Sequence, residues 1–289
     1  MDKVAFFCDT DCDLTYDDTV KYGINLINMP VYLDSEVYNL DLKNNGEFKD
    51  FYQALRDKKT PTTAAINEQE YIDTWKPFLE KGQDILYVAF SSKLSNTFEH
   101  MFKAIETLKK QFPKQTVYYA DTKSISGGGA LIAIQAACKL KAGVAPAEIV
   151  KFVEKKSKET TAMFIVENLD HLRRGGRISG TSAMIGGLLD IKPILYIDTD
   201  GKLVKWSKAK GFKKALLDVF EIFKEQYAPT ENAKIYILHA DALEHAKFLR
   251  DKIAQFIKDD EIVVLRSVGP IVAAHSGPGT VGIAFNRRA

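Results

Sequence analysis

The amino half of the chain repeats one arrangement of apolar and polar positions: a short apolar run, a polar turn, then an amphipathic stretch. Lys3 to Cys8 precedes Asp9-Thr10-Asp11-Cys12-Asp13, and Asp84 to Phe90 precedes Ser91-Ser92-Lys93-Leu94-Ser95-Asn96-Thr97. Val117-Tyr118-Tyr119-Ala120 likewise leads into Asp121 to Gly129 and a further apolar stretch. Short apolar runs bounded by turn residues read as strands, whereas Phe98, Phe102, Ile105 and Leu108 recur at helical spacing. Strand, turn and helix in repetition are strand-to-helix crossovers, which build a parallel sheet. Between the first two units, Asn67-Glu68-Gln69-Glu70 has the form of a capping box, so the turn Lys59-Thr60-Pro61-Thr62-Thr63 lies just ahead of a helix.

The charged stretch Glu154-Lys155-Lys156-Ser157-Lys158-Glu159 marks a change of pattern and predicts two domains, 1–158 and 159–289. Beyond it, Ile191 to Ile197 and Lys202 to Trp206 flank Asp198-Thr199-Asp200-Gly201, predicting an antiparallel pair around an Asp-Gly turn. Helical patterning at Phe212 to Tyr227 and Leu243 to Ile257 alternates with strands at Ile235 to Leu238, Ile262 to Leu265 and Val281 to Phe285. Both domains therefore read as α/β, the first with a parallel sheet and the second mixed.

With 289 residues the chain is long enough to bury a substantial core. Its 40 Lys plus Arg against 38 Asp plus Glu lack the clustered basic footprint of a nucleic-acid binder. Lys205, Lys208, Lys210, Lys213 and Lys214 form a local basic stretch that reads as a solvated face. The amino end carries an acidic residue and too short an apolar run for a secretory signal. Ile125 to Cys138, interrupted by Ser126, glycines and Gln135, falls short of the roughly 20 apolar residues of a membrane span. Cys8, Cys12 and Cys138 are too few for a disulfide scaffold and fit a reducing compartment. The expectation is a cytoplasmic protein without stable membrane insertion.

Candidate chemistry lies in three polar turns: Lys59 to Thr63, Ser91 to Thr97, and Ala274-His275-Ser276-Gly277-Pro278-Gly279. Each sets hydroxyl, imidazole or backbone groups beside an apolar segment, and together they would form a receptor for a carboxylate or phosphate. Asp9 to Asp13 begins like a calcium loop, but Leu14 stands where Gly is needed and Val20 where Glu is needed. Cys8 and Cys12 lack a second ligand pair for zinc, so neither metal nor cofactor is assigned. Ser95 and His275 offer a nucleophile and a base, yet the turn lacks Gly-x-Ser-x-Gly and no orienting acid can be identified. A small-molecule phosphotransferase or acyl hydrolase using His275 and Ser95 remains the alternative to a binding protein.

In their order along the chain, Asp9-Thr10, Thr63, Ser91 to Phe98, Asp121 to Gly129, Leu172 to Ile178, Leu189 to Leu195 and Ala274 to Gly279 resemble the DegV family. That family includes the fatty-acid-binding subunits of bacterial fatty acid kinase. The resemblance implies a two-domain DegV-type α/β fold, with the carboxylate of a long-chain fatty acid near the domain junction and its tail among apolar side chains. It implies carboxylate contacts from Thr63, Ser95 and His275, with amides near Asn96 and Thr97 as further donors at a helix start. Arg173, Arg177 and Lys210 become contacts for a partner, a separate ATP-dependent fatty acid kinase, and the chain itself a non-catalytic carrier. Asp9 and Asp121 read as structural or as orienting other groups, and Met184, Ile185, Leu188 and Leu189 as core or tunnel border. The sequence departs from the family's usual Thr-Ser-Gln-Pro-Ser at Thr63-Ala64-Ala65-Ile66-Asn67, from its usual glycine at Asn96, and from its leading arginine at Lys210.

Overall fold

The computed structural model describes residues 3–40, 43, 48–178, 190–230, 234–259 and 262–288. The amino-terminal part runs β1 (Val4–Asp9), a 3-10 turn (Thr10–Cys12), α1 (Tyr16–Tyr22), β2 (Ile24–Ile27), β3 (Val31–Leu33), β4 (Glu36–Val37), α2 (Lys49–Arg56) and β5 (Pro61–Thr63). It continues with α3 (Glu68–Glu80), β6 (Asp84–Ala89), α4 (Thr97–Gln111), β7 (Val117–Asp121), α5 (Gly127–Lys141) and α6 (Pro146–Lys158). Strands β2, β1, β6 and β7 form a four-stranded sheet in that order, and every pairing is parallel. Asn67 and Glu70 close the expected capping box at the start of α3. A small three-stranded sheet of β4, β3 and β5 carries Thr63; its strands are two or three residues long, too short for alternation to announce them.

One sequence reading shifts by a small rotation. On α4 the buried stripe is Thr97, Met101, Ala104 and Leu108, not one led by Phe98 and Phe102. Phe102 is 46% exposed and packs edge-on against Phe98 and Tyr119 at the surface. By contrast α5 is buried almost all round from Gly127 to Ala137, the pattern of a helix with packing partners on every side. Its second partner is the other sheet.

That sheet is built from β8 (Thr160–Ile165), β9 (Ile191–Ile197), β10 (Leu203–Lys210), β11 (Ile235–Ala240), β12 (Val263–Ser267) and β13 (Thr280–Asn286). Helices α7 (Asp170–Arg174), α8 (Phe212–Gln226), α9 (Leu243–Ile257) and α10 (Pro270–Ser276) lie between these strands in the chain. The strand order is β10-β9-β8-β13-β11-β12, with only β11 and β12 parallel. The β9–β10 pair forms around the expected turn, where the Asp198 carboxylate accepts from the amides of Asp200 and Lys202, each at 2.9 Å. Strand β10 runs four residues past its expected end, to Lys210, with a register shift between Lys205 and Ser207. Exposed Lys205, Lys208 and Lys210 lie along this edge strand, where charge discourages pairing with another chain. Among the described residues, no helix is long and apolar enough to cross a membrane.

Among the contacts that fix the two large sheets against each other are the following three. Glycines at the start of α5 seat it on the second sheet: a Cβ at Gly127 would lie 2.6 Å from Leu238 Cδ1 and 2.8 Å from Tyr236 Cβ. Asp18, within the capping box of α1, takes two hydrogen bonds from Arg266 at the end of β12. The tip of the β9–β10 hairpin docks on the loop after β6, with Ser91 Oγ donating to the Gly201 carbonyl at 2.6 Å.

Gly201 has φ of +89° and no room for a side chain, since a Cβ would lie 2.3 Å from Ser91 Oγ. Gly143 has a similar φ of +82° but open space around it. Gly143→Ala should therefore cost only the backbone penalty, roughly 1 kcal/mol. Gly201→Ala should cost clearly more and loosen the hairpin; urea unfolding of both variants checks this, and equal midpoints would refute the docking account.

Candidate functional site

An apolar cavity lies where the carboxyl ends of β1 and β6 face β8, β9 and β10, with α10 along one side. Its empty space is about 690 Å3, including the part open to solvent. The position follows from topology, because the loops leaving the carboxyl ends of parallel strands converge there. Phe90 and Leu94 follow β6, while Phe164, Leu195, Ile197 and Leu203 come from the second sheet. The polar side chains reaching this lining are Asp11, Thr63, Ser95, Arg177, His275 and Ser276.

Thr63, Ser95 and His275, predicted from three separated turns, thus line one cavity. Thr63 Oγ1 and His275 Nε2 are hydrogen-bonded at 2.7 Å. Ser95 Oγ accepts from the Thr97 amide at 3.3 Å and lies 2.9 Å from Thr97 Oγ1. Thr97 is accordingly buried and spends its amide on Ser95, while Asn96 is exposed on an adjoining groove. Neither reaches the cavity lining. The groove shares Leu94, Ser95, Arg177 and Leu203 with the cavity, which marks its mouth.

The three basic residues separate. Arg177 lines the cavity mouth, half-buried, its Nε donating to the Leu94 carbonyl at 3.2 Å and its other side to the Gly175 carbonyl. Burial lowers its pKa from the ordinary guanidinium value, and among the described residues no carboxylate pairs with it. Arg173 is on the surface of α7, paired with Asp170 at 2.9 Å. Lys210 is exposed at the far end of β10 from Leu203, about 23 Å away at the rise of an extended strand.

The glycines flanking these residues let α7 and α10 meet. A Cβ on Gly175 would lie 2.2 Å from His275 Nδ1, and one on Gly277 would lie 2.6 Å from the His171 ring. Packed in this way, His275 loses solvent, and Arg177 and His171 add positive charge; its pKa falls to about 4. It is a neutral imidazole at neutral pH. Nδ1 faces Gly175 without a hydrogen-bond partner, and the serine of the alternative enzymatic reading bonds to Thr97. Among the described residues, Ser95 and His275 are therefore not hydrogen-bonded to each other as a nucleophile and base would be.

The carboxylates at the strand ends hold loops. Asp9 accepts from the Phe90 amide at 2.8 Å and from the Tyr87 hydroxyl. Asp121 accepts from Ser92 Oγ and the Lys123 amide, each at 2.7 Å. Burial raises Asp9 to about 7 despite these donors. Sequence reasoning missed Asp11 and Ser276 as cavity residues; both stand inside quoted motifs, but only folding shows which members of a turn face inward. Met184, Ile185, Leu188 and Leu189 lie outside the described residues.

Fold and cavity define an α/β protein of two large sheets with an apolar interior site and polar side chains at its mouth. The model of the family described as "Uncharacterised protein, DegV family" matches residues 3–288, and the chain belongs to the DegV family. A DegV domain-containing protein of Clostridium perfringens is 33% identical over 287 residues, covering 99% of this chain and 98% of the relative. The crystal structure of a DegV lipid-binding protein from Thermotoga maritima is similar with a TM-score of 0.81 at 28% identity, covering 99% and 98% of the two chains. That of the fatty-acid-binding DegV family protein from Streptococcus agalactiae gives 0.84 at 26% identity, covering both chains fully at 100%. The mixed α/β architecture read from the sequence is the architecture of these structures.

The depressed His275 pKa has a measurable consequence. Between about 4 in the folded chain and about 6.5 for a free imidazole, the unfolded state holds a proton that the folded state lacks. Stability therefore falls as pH drops through this window. His275→Gln should flatten that part of the Tm-against-pH curve; an imidazole titrating near its free value by NMR would contradict the assignment.

Proposed function

We propose that the protein is a cytoplasmic carrier that binds a long-chain fatty acid and presents its carboxylate to a separate ATP-dependent fatty acid kinase. The observation carrying this reading is the division of the cavity: apolar side chains line its body, while Ser95 and an unpaired Arg177 stand at its mouth. Fatty-acid binding by relatives of the same fold supports it. Thr63 and Ser95 would donate hydroxyl hydrogen bonds to the carboxylate, Arg177 would supply the countercharge, and neutral His275 would hold Thr63. The tail dominates affinity, because each buried methylene contributes about 0.8 kcal/mol against roughly 1 kcal/mol for a neutral hydrogen bond. The polar residues set placement.

The carrier reading is favoured over hydrolase or phosphotransferase chemistry because Ser95 and His275 engage Thr97 and Thr63 and not each other. Arg173 and Lys210 are exposed and suit contact with an acidic partner surface, where charge governs encounter more than tail burial.

Calorimetry on protein stripped of lipid, with a series of saturated and unsaturated acids, tests binding; no binding across the series by folded protein would end the carrier reading. Ser95→Ala should weaken binding by about 1 to 3 kcal/mol by leaving a buried acceptor underpaired. Reversing Arg173 and Lys210 together should leave lipid affinity unchanged while slowing acyl phosphate formation with the cognate kinase. Unchanged phosphorylation at low salt would remove these two residues from the partner surface.

A further inference from the structure

Asp11 is out of place in an apolar cavity. Its side chain is 1% exposed, lines the cavity, and neither carboxyl oxygen has a hydrogen-bond partner. Ser276 repeats the anomaly: it is 7% exposed, lines the same cavity, and its Oγ is also unpartnered. The 3-10 turn bearing Asp11 packs against α10, which bears Ser276, yet the two side chains do not bond to each other. Neighbouring carboxylates fare differently, since Asp9 and Asp13 each accept two hydrogen bonds. Burying a polar group without a partner is unfavourable, and a saturated hydrocarbon tail in this cavity would leave that cost in place.

We infer that the bound acid carries a hydroxyl group on its chain, and that Asp11 forms a hydrogen bond to this hydroxyl inside the cavity, with Ser276 a second polar partner there. The inference rests on the fatty-acid reading and narrows it to hydroxylated acids. The carboxylate of the ligand is not the partner: the cavity opens at Leu94, Ser95, Arg177 and Leu203, and neither Asp11 nor Ser276 lines the groove beyond. Burial, then the proximity of Asp9, Cys12 and Asp13, raises the Asp11 pKa well above the usual carboxyl range. A neutral carboxyl both donates and accepts, as a hydroxyl does, so either can complete the other. A site built around such a group discriminates against the analogue that lacks it.

The test is calorimetry with lipid-free wild-type protein, Asp11→Asn and Asp11→Val, using octadecanoic acid and its regioisomers hydroxylated along the chain. The wild type should bind at least one regioisomer about tenfold tighter than the parent acid, equivalent to about 1.4 kcal/mol. Asp11→Asn, which still donates and accepts, should keep the preference, and Asp11→Val should lose or invert it. Thermal melts should show both variants folded, at least as stable as wild type at neutral pH. Equal or weaker binding of every regioisomer by wild type, beside normal binding of the parent acid, overturns this inference and leaves the carrier reading standing. Failure to bind any of the acids overturns both, and a preference unchanged in Asp11→Val removes Asp11 from the site.

Discussion

The seating of α5 between the two large sheets governs the remainder of the structure. A helix buried on all sides must offer small surfaces where it meets a second layer, and Gly127 and Gly128 do so. The first lies against Leu238 and Tyr236, the second against Ser124 and Ala162. Because α5 follows β7 of the first sheet directly, this contact sets the distance between the carboxyl ends of β1 and β6 and the strands β8 to β10. The gap left between them is the cavity. Asp13 reinforces the arrangement, accepting from Ser126 at the start of α5 and from the Gly269 amide, at 2.8 Å, at the start of α10. Burial raises its pKa to about 7, offset in part by these donors and by Arg266.

Electrostatics at the site follow from that burial. His275 and Arg177 lie close together with no carboxylate between them among the described residues; the imidazole is driven neutral and the guanidinium keeps an unmet charge. The site thus offers one fixed positive charge beside several neutral polar groups. Asp11, also in the cavity lining, adds a polar group with no protein partner among the described residues. The interior is thus apolar in area but not in all its atoms.

Much of this was legible in the sequence where local physics decides the outcome. The parallel crossovers, the Asn67–Glu70 cap and the Asp198–Gly201 turn rest on short-range rules, and they formed where those rules put them. The gathering of Thr63, Ser95 and His275 was reached only by likeness to a family, since their turns are separated by up to 212 residues. What sequence could not give was orientation. Whether Phe98 or Thr97 leads the α4 stripe is a rotation of one residue, and whether Arg177 faces a partner or the cavity depends on how α7 meets α10. The same holds for Asp11, where a failed calcium-loop pattern hid a cavity residue. The short β3–β4–β5 sheet had no periodic signal because its strands are stabilised by neighbours and not by their own alternation.

In the proposed complex a carboxylate sits at the polar mouth with an acyl chain running inward. A crystal structure of lipid-free protein soaked with a long-chain acid tests it most directly. The carboxylate oxygens should lie about 2.5–3.0 Å from Thr63 Oγ1 and Ser95 Oγ, with the chain against Phe164, Leu195 and Val272. A carboxylate found elsewhere, or a chain lying outside the cavity, would contradict the account.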